Sequence, residues 1–300
     1  MSFGKYYTPL SVEEAIDILN EYEGKARVVA GGTDLFIEDT ANTKIDAMVD
    51  ISMIKELRFI SKEDRLIRIG ALSTHTDIAD SDTIKNECHF LSKAASAVGS
   101  VQIRNVGTVG GNIVNAQPAA DTALALLALN PCITIVSEKG KRNMLMSDSY
   151  RLNGGSLIDP TREILLDIAF KSMDHHFENG AFMRLGKRKA MVLPVLNSSA
   201  YMRLNKDKSS IEDVRIVMAP CSRIPLRLRN TENYLINGGH SEDIFIEASK
   251  LAMDDANPRN SCFRGSSSYR KHLVGVMVFR ILNQVLNNIV NEVLPFNGTN

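Results

Sequence analysis

The apolar positions of residues 1–170 form short runs that alternate between strand-like and helical spacing. A helix is predicted after Ser11, because the Ser11–Glu14 capping box precedes apolar positions at helical intervals. Two further helices are predicted at 90–98 and 119–129, where alanine and leucine recur at packing intervals. The apolar or alternating runs predicted as strands are 28–30, 47–51, 66–69, 133–136 and 164–169. This half of the chain therefore mixes strands and helices throughout.

The second half has a different order, with strands first and helices afterwards. A polar segment at 171–180 is predicted to be a linker. The strands predicted beyond it are 181–185, 193–204 and 214–219. Two helices follow, at about 242–253 and 268–294, and the longer one carries a wide apolar stripe. Strands followed by helices are typical of an α+β module that packs against a second unit.

The charge of the chain is balanced, with 35 basic and 35 acidic side chains. Nucleic acids and anionic membranes attract clustered positive charge, so neither is expected as a partner. The chain has no tryptophan and no run of about 18 apolar residues, which argues against base stacking and membrane insertion. The four cysteines are widely separated and form no metal-binding pair. We expect a cytoplasmic protein with reduced thiols and no metal site of its own.

Two glycine-rich segments are the most informative local feature. The first, 30–34, reads Ala-Gly-Gly-Thr-Asp; the second, 104–112, ends in Gly-Gly-Asn and is followed by Asp121. Adjacent glycines let backbone N–H groups approach a ligand and supply the positive φ that anion-binding turns need. Neither segment matches a P-loop or a G-x-G-x-x-G dinucleotide motif. We interpret them as two loops that enclose a buried diphosphate; the alternative is that each is an ordinary turn.

These segments belong to a longer series of motifs that stand in one order along the chain. The motifs are VVAGGTD at 28–34, GALSTH at 70–75, QIRNVGTVGGN at 102–112, PAAD at 118–121, RLGKRKA at 184–190 and FRGSSSYRK at 263–271. The series, together with residues 159–168, resembles the FAD-binding medium subunit of the molybdenum hydroxylases, the family of xanthine dehydrogenase and carbon monoxide dehydrogenase. The resemblance extends over nearly the whole chain.

The resemblance implies a fold and a division into domains. It implies an α+β protein whose first part, residues 1–172, has the two-subdomain FAD-binding fold of the vanillyl-alcohol oxidase type. The boundary between the two α+β subdomains is expected near residue 58. A C-terminal α+β domain with a three-stranded sheet plus helices is expected at 178–292.

The resemblance also implies which residues hold FAD, without a covalent bond. The first glycine segment would wrap the diphosphate and ribose through backbone N–H groups, and the second would close on the other side. Asp121 would accept hydrogen bonds from ribose or ribitol hydroxyls, Leu165 would lie by the adenine or the flavin edge, and Arg184 would lie near the isoalloxazine. From the residues alone, Asp121 is also explained as a helix N-terminal carboxylate and Arg184 as a surface arginine. The residues so assigned are Arg27, Val28, Val29, Ala30, Gly31, Gly32, Thr33, Asp34, Leu35, Thr108, Val109, Gly110, Gly111, Asn112, Asn115, Asp121, Leu165 and Arg184.

The implied function is electron transfer within an oxidoreductase complex, with no catalytic side chain in this subunit. The chain would take electrons from the [2Fe-2S] clusters of a small partner subunit, which are supplied by a molybdopterin-binding large subunit. It would pass them to NAD⁺ or another acceptor, since the redox chemistry belongs to the cofactor. One alternative is a self-contained FAD-dependent oxidase or dehydrogenase of the vanillyl-alcohol oxidase type. Another is a non-catalytic scaffold that has lost the flavin.

Overall fold

The computed structural model describes residues 4–35, 45–188 and 192–291, and it begins with a small parallel sheet. The strands are β1 (Lys5–Tyr7), β2 (Ala26–Val29) and β3 (Ala47–Asp50), in the spatial order β1-β3-β2. Helix α1 (Val12–Glu21) begins where the capping box predicts, and the Ser11 hydroxyl accepts a hydrogen bond from the Glu14 N–H. The apolar face of α1 packs against this sheet and forms a small core with it.

The second sheet is larger and antiparallel. Its strands are β4 (Ile60–Glu63), β5 (Leu66–Gly70), β6 (Cys132–Ser137), β7 (Gly140–Leu145) and β8 (Glu163–Lys171), in the order β4-β5-β8-β6-β7. The helices between β5 and β6 are α2 (His75–Asp80), α3 (Asp82–Ser96), α4 (Val101–Val106), α5 (Val109–Asn115) and α6 (Asp121–Leu129). Every residue of α6 is buried, which explains its uniform alanine and leucine content.

The third sheet and its helices form the last part of the chain. Its strands are β9 (Glu178–Leu185), β10 (Leu196–Leu204), β11 (Ile211–Ala219) and the two-residue β12 (Leu226–Arg227), in the order β12-β11-β10-β9. The helices are α7 (Arg229–Gly238), α8 (Glu242–Asp255) and α9 (Ser267–Val290). The three predicted strands and two predicted helices are present, whereas β12 and α7 are additional. The part of the predicted last helix beyond residue 291 lies outside the described residues.

The predicted linker at 171–180 is shorter than expected. Strand β8 continues to Lys171 and β9 already begins at Glu178, so the connection covers only 172–177. Ser172, Met173 and Asn179 are buried despite the polar character of the segment. Gly180 lies directly on α3: a Cβ at this position would be 2.2 Å from Cε1 of Phe90. Polar composition was therefore a poor guide to exposure, because part of this segment lies where the third sheet packs against α3.

The third sheet is buried on both faces. Phe182, Tyr201 and Val217 point into the core that α3 and α6 share with the second sheet. The alternate positions point into a separate core with α7, α8 and α9. This alternation follows from the period of two in a strand. The third sheet thus lies between the core that contains α3 and α6 and the core that contains α7, α8 and α9. The predicted α+β organisation is confirmed.

Helix α9 is long and apolar enough to span a bilayer by length and composition alone. Its apolar side chains, however, pack into the core beneath the third sheet. Those that are buried there are Val274, Met277, Val278, Ile281, Leu282, Val285 and Ile289. Packing within the protein therefore accounts for the composition of this helix.

Candidate functional site

A cleft of about 520 Å³ lies between the small parallel sheet and the larger antiparallel sheet. Three segments of the chain line most of it: 27–35 within and after β2, 107–115 around the start of α5, and 151–165 before and within β8. A volume of this size lies within the range of small-molecule and cofactor sites. The walls combine apolar side chains with glycine-rich backbone, which is the composition such sites usually have.

The first wall is the backbone that leaves β2. Val28 ties this wall to the third segment, because its N–H donates to the Pro160 carbonyl at 2.9 Å. Beyond the strand, the chain turns at Gly32, whose φ of +64° lies in the left-handed region that favours glycine. Among the described residues, the N–H groups of Gly31, Gly32 and Thr33 donate no hydrogen bond to a protein atom. This wall therefore presents free backbone donors at the cleft.

The second glycine segment has a different structure from the predicted turn. Val109 to Asn112 form the first turn of α5, and their N–H groups are already bonded within the protein, to Ser73, Ala71 and Thr108. Gly110 is required by packing, since a Cβ there would lie 2.7 Å from the Ala71 carbonyl oxygen. The expectation of positive φ therefore holds for Gly32 and is wrong for Gly31, Gly110 and Gly111. The glycines allow α5 to sit close against the end of β5 and bring its surface to the cleft.

The two glycine-rich walls are also tied together at their far ends. The Asn115 amide donates a 2.6 Å hydrogen bond to an Asp34 carboxylate oxygen. Asn112 points the other way, and its side-chain oxygen accepts from the Ala123 N–H at the start of α6. Of these two predicted cofactor residues, Asn115 links the two walls of the cleft by a hydrogen bond, and Asn112 links α5 to α6.

Most of the residues assigned from the sequence come together at the cleft. All nine residues from Arg27 to Leu35 line it, and so do Thr108, Gly110, Gly111, Asn112, Asn115 and Leu165. Val109 does not line it, because its side chain is fully buried. Asp121 and Arg184 also lie outside the lining and form a separate polar cluster.

That cluster lies where α6 meets the third sheet. Asp121, at the first position of α6, accepts a hydrogen bond from Arg184 Nε of β9 at 3.1 Å and from the Asn197 amide of β10 at 2.7 Å. All three side chains are buried or nearly so. Burial raises the pKa of the Asp121 carboxyl to about 6, while Arg184 and Asn197 oppose that shift. The carboxylate is therefore ionised at neutral pH and paired with Arg184.

Several residues of the cleft were not assigned from the sequence. The segment 151–160 contributes the exposed Arg151, the pair Gly154-Gly155 with φ of +101° and +88°, and Ile158. The adjacent glycines were a visible signal of a third turn. His75 also lines the cleft, although it lies beneath the second glycine segment. It belongs to the GALSTH motif, whose role the sequence did not reveal.

The backbone donors and the apolar side chains of the cleft fit a ligand that carries both an anionic group and apolar rings. Free backbone N–H groups at 31–33 are suited to phosphate oxygens, and no acidic side chain lies among them before Asp34. Apolar side chains are available on both sides, including Val28, Ile103 and Leu165. No group of three His, Cys, Asp or Glu side chains that could hold a metal ion occurs in the described part of the chain.

Comparison with known families assigns both halves of the chain. Residues 1–170 match the family described as "FAD binding domain in molybdopterin dehydrogenase". Residues 181–285 match the "CO dehydrogenase flavoprotein C-terminal domain". The two matches cover the parts of the chain on either side of the short connection between β8 and β9.

Similar proteins of known identity match over nearly their whole length. The "Nicotinate dehydrogenase FAD-subunit" of Eubacterium barkeri is 30% identical over 95% of this chain and 97% of that protein. The "Xanthine dehydrogenase FAD-binding subunit" of Escherichia coli O157:H7 is 28% identical over 95% of this chain and 96% of that protein. A chain of the Hydrogenophaga pseudoflava carbon monoxide dehydrogenase that lacks the Mo-pyranopterin moiety superposes with a TM-score of 0.87 at 25% identity, covering 96% of this chain and 98% of its own.

Proposed function

Because this chain belongs to the family of FAD-binding medium subunits of the molybdenum hydroxylases, we propose that it holds FAD in the cleft and transfers electrons within a multi-subunit dehydrogenase. The observation that carries the proposal is the cleft wall at Gly31, Gly32 and Thr33, whose N–H groups have no acceptor among the described residues. A buried or half-buried backbone donor without a partner is costly, so a ligand with anionic oxygens is the natural acceptor.

We propose that the chain divides into two domains with separate tasks. Residues 1–172 form the FAD-binding domain, with its subdomain boundary near 58, between β3 and β4. Residues 178–292 form the C-terminal domain, and one face of its sheet packs against α6. The break between β8 and β9 and the gap between the family matches at 170 and 181 support this division.

The roles of the cleft residues follow their positions. The backbone from Arg27 to Leu35 holds the diphosphate and adjoining ribose, with Thr108, Gly110, Gly111, Asn112 and Asn115 forming the facing wall. Leu165 supplies apolar contact to a ring of the cofactor. Asp121 and Arg184 lie together outside the cleft lining, so their roles rest on the family resemblance: Asp121 would accept from ribose or ribitol hydroxyls and Arg184 would lie near the isoalloxazine. Val109 supports the facing wall from the core rather than by direct contact.

The chain serves as a relay between partner subunits. It receives electrons from [2Fe-2S] clusters on a small subunit, which are supplied by a molybdopterin-binding large subunit, and delivers them to NAD⁺ or another acceptor. When bound, FAD supplies the redox chemistry; the protein binds it, orients it and limits access of water. The proposed setting is the cytoplasm, which suits the unpaired cysteines Cys88, Cys132, Cys221 and Cys262.

The test is to purify the full chain alone and measure flavin content and flavin reduction. We expect the chain to retain FAD but to show no bleaching of the flavin absorbance with purines, aldehydes or N-heterocycles. Bleaching should appear once the molybdenum and iron–sulfur subunits are added. Steady substrate-dependent bleaching by the chain alone would support the self-contained oxidase instead. A folded chain that takes up no FAD would overturn the cofactor assignment and leave the scaffold alternative.

A further inference from the structure

His75 lies at the point where the two glycine-rich walls meet. It is the first residue of α2, and its backbone N–H donates to the Gly107 carbonyl at 3.1 Å. The ring packs directly beneath Gly107: a Cβ on that glycine would lie 3.3 Å from His75 Cδ2 and 3.5 Å from Thr33 Oγ1. The side chain is only 3% exposed, yet it forms part of the cleft lining. An imidazole is thus built into the wall beside the free donors of 31–33.

The hydrogen bond on the other side of the ring decides which nitrogen carries the proton. Nδ1 lies 3.0 Å from the Thr122 hydroxyl oxygen, and both side chains are buried. If Nδ1 donated to that oxygen, the hydroxyl hydrogen would remain buried with no acceptor among the described residues, at a desolvation cost. The favourable arrangement has the Thr122 hydroxyl donating to Nδ1, which places the ring hydrogen on Nε2.

The ring is neutral at physiological pH, so it has a single N–H to offer. Burial, with a smaller contribution from the Arg104 charge, lowers the pKa of His75 to about 4. Nε2 has no hydrogen-bond partner among the described residues, yet it is not one of the fully buried unpaired atoms, so it remains accessible. A buried histidine held in one tautomer, with its only N–H unpaired at a cofactor cleft, is arranged to donate to a ligand.

We propose that Nε2 of His75 donates a hydrogen bond to the diphosphate of FAD bound in this cleft, and that Thr122 acts as the positioning residue that sets the tautomer. The inference rests on the proposed FAD site and adds a side-chain donor to the backbone donors of 31–33. Because the donor is a neutral imidazole, its hydrogen bond would orient the diphosphate without adding a full positive charge to the site.

The test is calorimetric titration of the flavin-free full chain with FAD and, separately, with ADP, which shares the diphosphate. His75→Leu should raise the Kd for both ligands about tenfold or more, the effect of losing one hydrogen bond to a charged acceptor. His75→Gln should recover most of the affinity, because its amide can donate from nearly the same place. His240→Leu is the matched control, since His240 bonds the Lys208 carbonyl in the C-terminal part of the chain. Each variant is first checked by circular dichroism to be fully folded at the titration temperature without ligand.

The outcomes separate this inference from the function on which it rests. A wild-type chain that binds neither FAD nor ADP would overturn both. A wild-type chain that binds both ligands, with His75→Leu binding them equally well, would overturn the inference alone. A loss confined to FAD would place the contact away from the diphosphate and also contradict it.

Nitrogen NMR of the imidazole tests the tautomer without any substitution at His75. We expect the Nε2–H form in the wild-type chain and a shift of the Nε2 resonance when ADP is added. Thr122→Val should mix the tautomers and weaken ADP binding, whereas Thr122→Ser should preserve both. An Nδ1–H tautomer in the wild-type chain would contradict the proposed donor.

Discussion

The α-carbon of Gly31 lies directly against the carbonyl of Val106. A Cβ at position 31 would be 2.0 Å from that oxygen and 2.7 Å from its carbon. The two glycine-rich segments, far apart in the chain, are therefore in backbone contact at one end of the cleft. This contact sets the distance between the two walls. Val106 ends α4 and Gly31 follows β2 closely, so neither backbone can shift away without displacing one of these elements.

Gly31→Ala should separate these walls. The added methyl group would overlap a backbone oxygen that cannot rotate away, so we expect destabilisation of about 3 kcal/mol or more. FAD retention should fall as well, since the walls would be displaced. Gly238→Ala is the control, because its Cβ would meet only Ile244 at 3.4 Å at the end of α7. Urea unfolding and flavin content measure both effects; equal stability of Gly31→Ala and wild type would contradict the packing.

Gly32→Val should abolish FAD retention by a different route. A β-branched residue is strained at a φ of +64°, so the turn would change and its N–H groups would no longer face the cleft. Gly32→Asn is the matched control, since asparagine tolerates the left-handed region. We expect flavin absorbance per folded chain to be lost in the valine variant and largely kept in the asparagine variant. Full flavin content with valine would show that this turn does not hold the cofactor.

The Asp121 carboxyl should make stability depend on pH. Its pKa is raised to about 6 by burial, so the folded protein binds this proton more tightly than the unfolded chain does. That stabilisation is fully present below about pH 4 and is lost as the pH rises through about 6. Asp121→Asn removes the titration, so the cost of the mutation should be greater at about pH 4.5 than at about pH 7.5, by about 2 kcal/mol. Denaturant unfolding of both proteins at both pH values measures it, and an equal cost would contradict the burial of an ionised carboxylate here.

Limited proteolysis should show whether bound FAD protects the third segment of the cleft, residues 151–165. Arg151 is exposed beside Leu152, which is 90% exposed at the tip of the loop, and Arg151 also lines the cleft. Trypsin should cut after Arg151 in the flavin-free chain, and FAD should slow that cut. Cleavage after Lys206, exposed in the β10–β11 hairpin, should be indifferent to FAD and serves as the internal control. Equal rates at Arg151 with and without FAD would argue that the loop does not contact the cofactor.

Local pattern was sufficient to predict α1 and α6, whose cap or composition is clear from neighbouring residues alone. Ser11 begins α1 because its hydroxyl can accept from Glu14, and α6 is helical and buried because it contains little except alanine and leucine. The same pattern missed α7, whose residues are mainly polar. That helix is held by tertiary contacts: Glu232 is buried, pairs with Arg227 and accepts the Ile216 N–H, while Asp255 accepts from Thr231. A helix stabilised by distant partners leaves little signal in its own sequence.

The sequence by itself determined α1, α6 and the strands of clear periodicity, the positions of the two glycine-rich segments and the family, because each is recorded in runs or motifs of neighbouring residues. It could not distinguish the glycines whose N–H groups remain free, at 31–32, from those at 110–111, whose N–H groups are bonded in α5. Nor could it show that Arg184 lies against Asp121, or that His75 lies against Thr122. Only the tertiary structure decided these pairings, because each joins residues from separate elements whose packing sets which polar atoms remain available to a ligand.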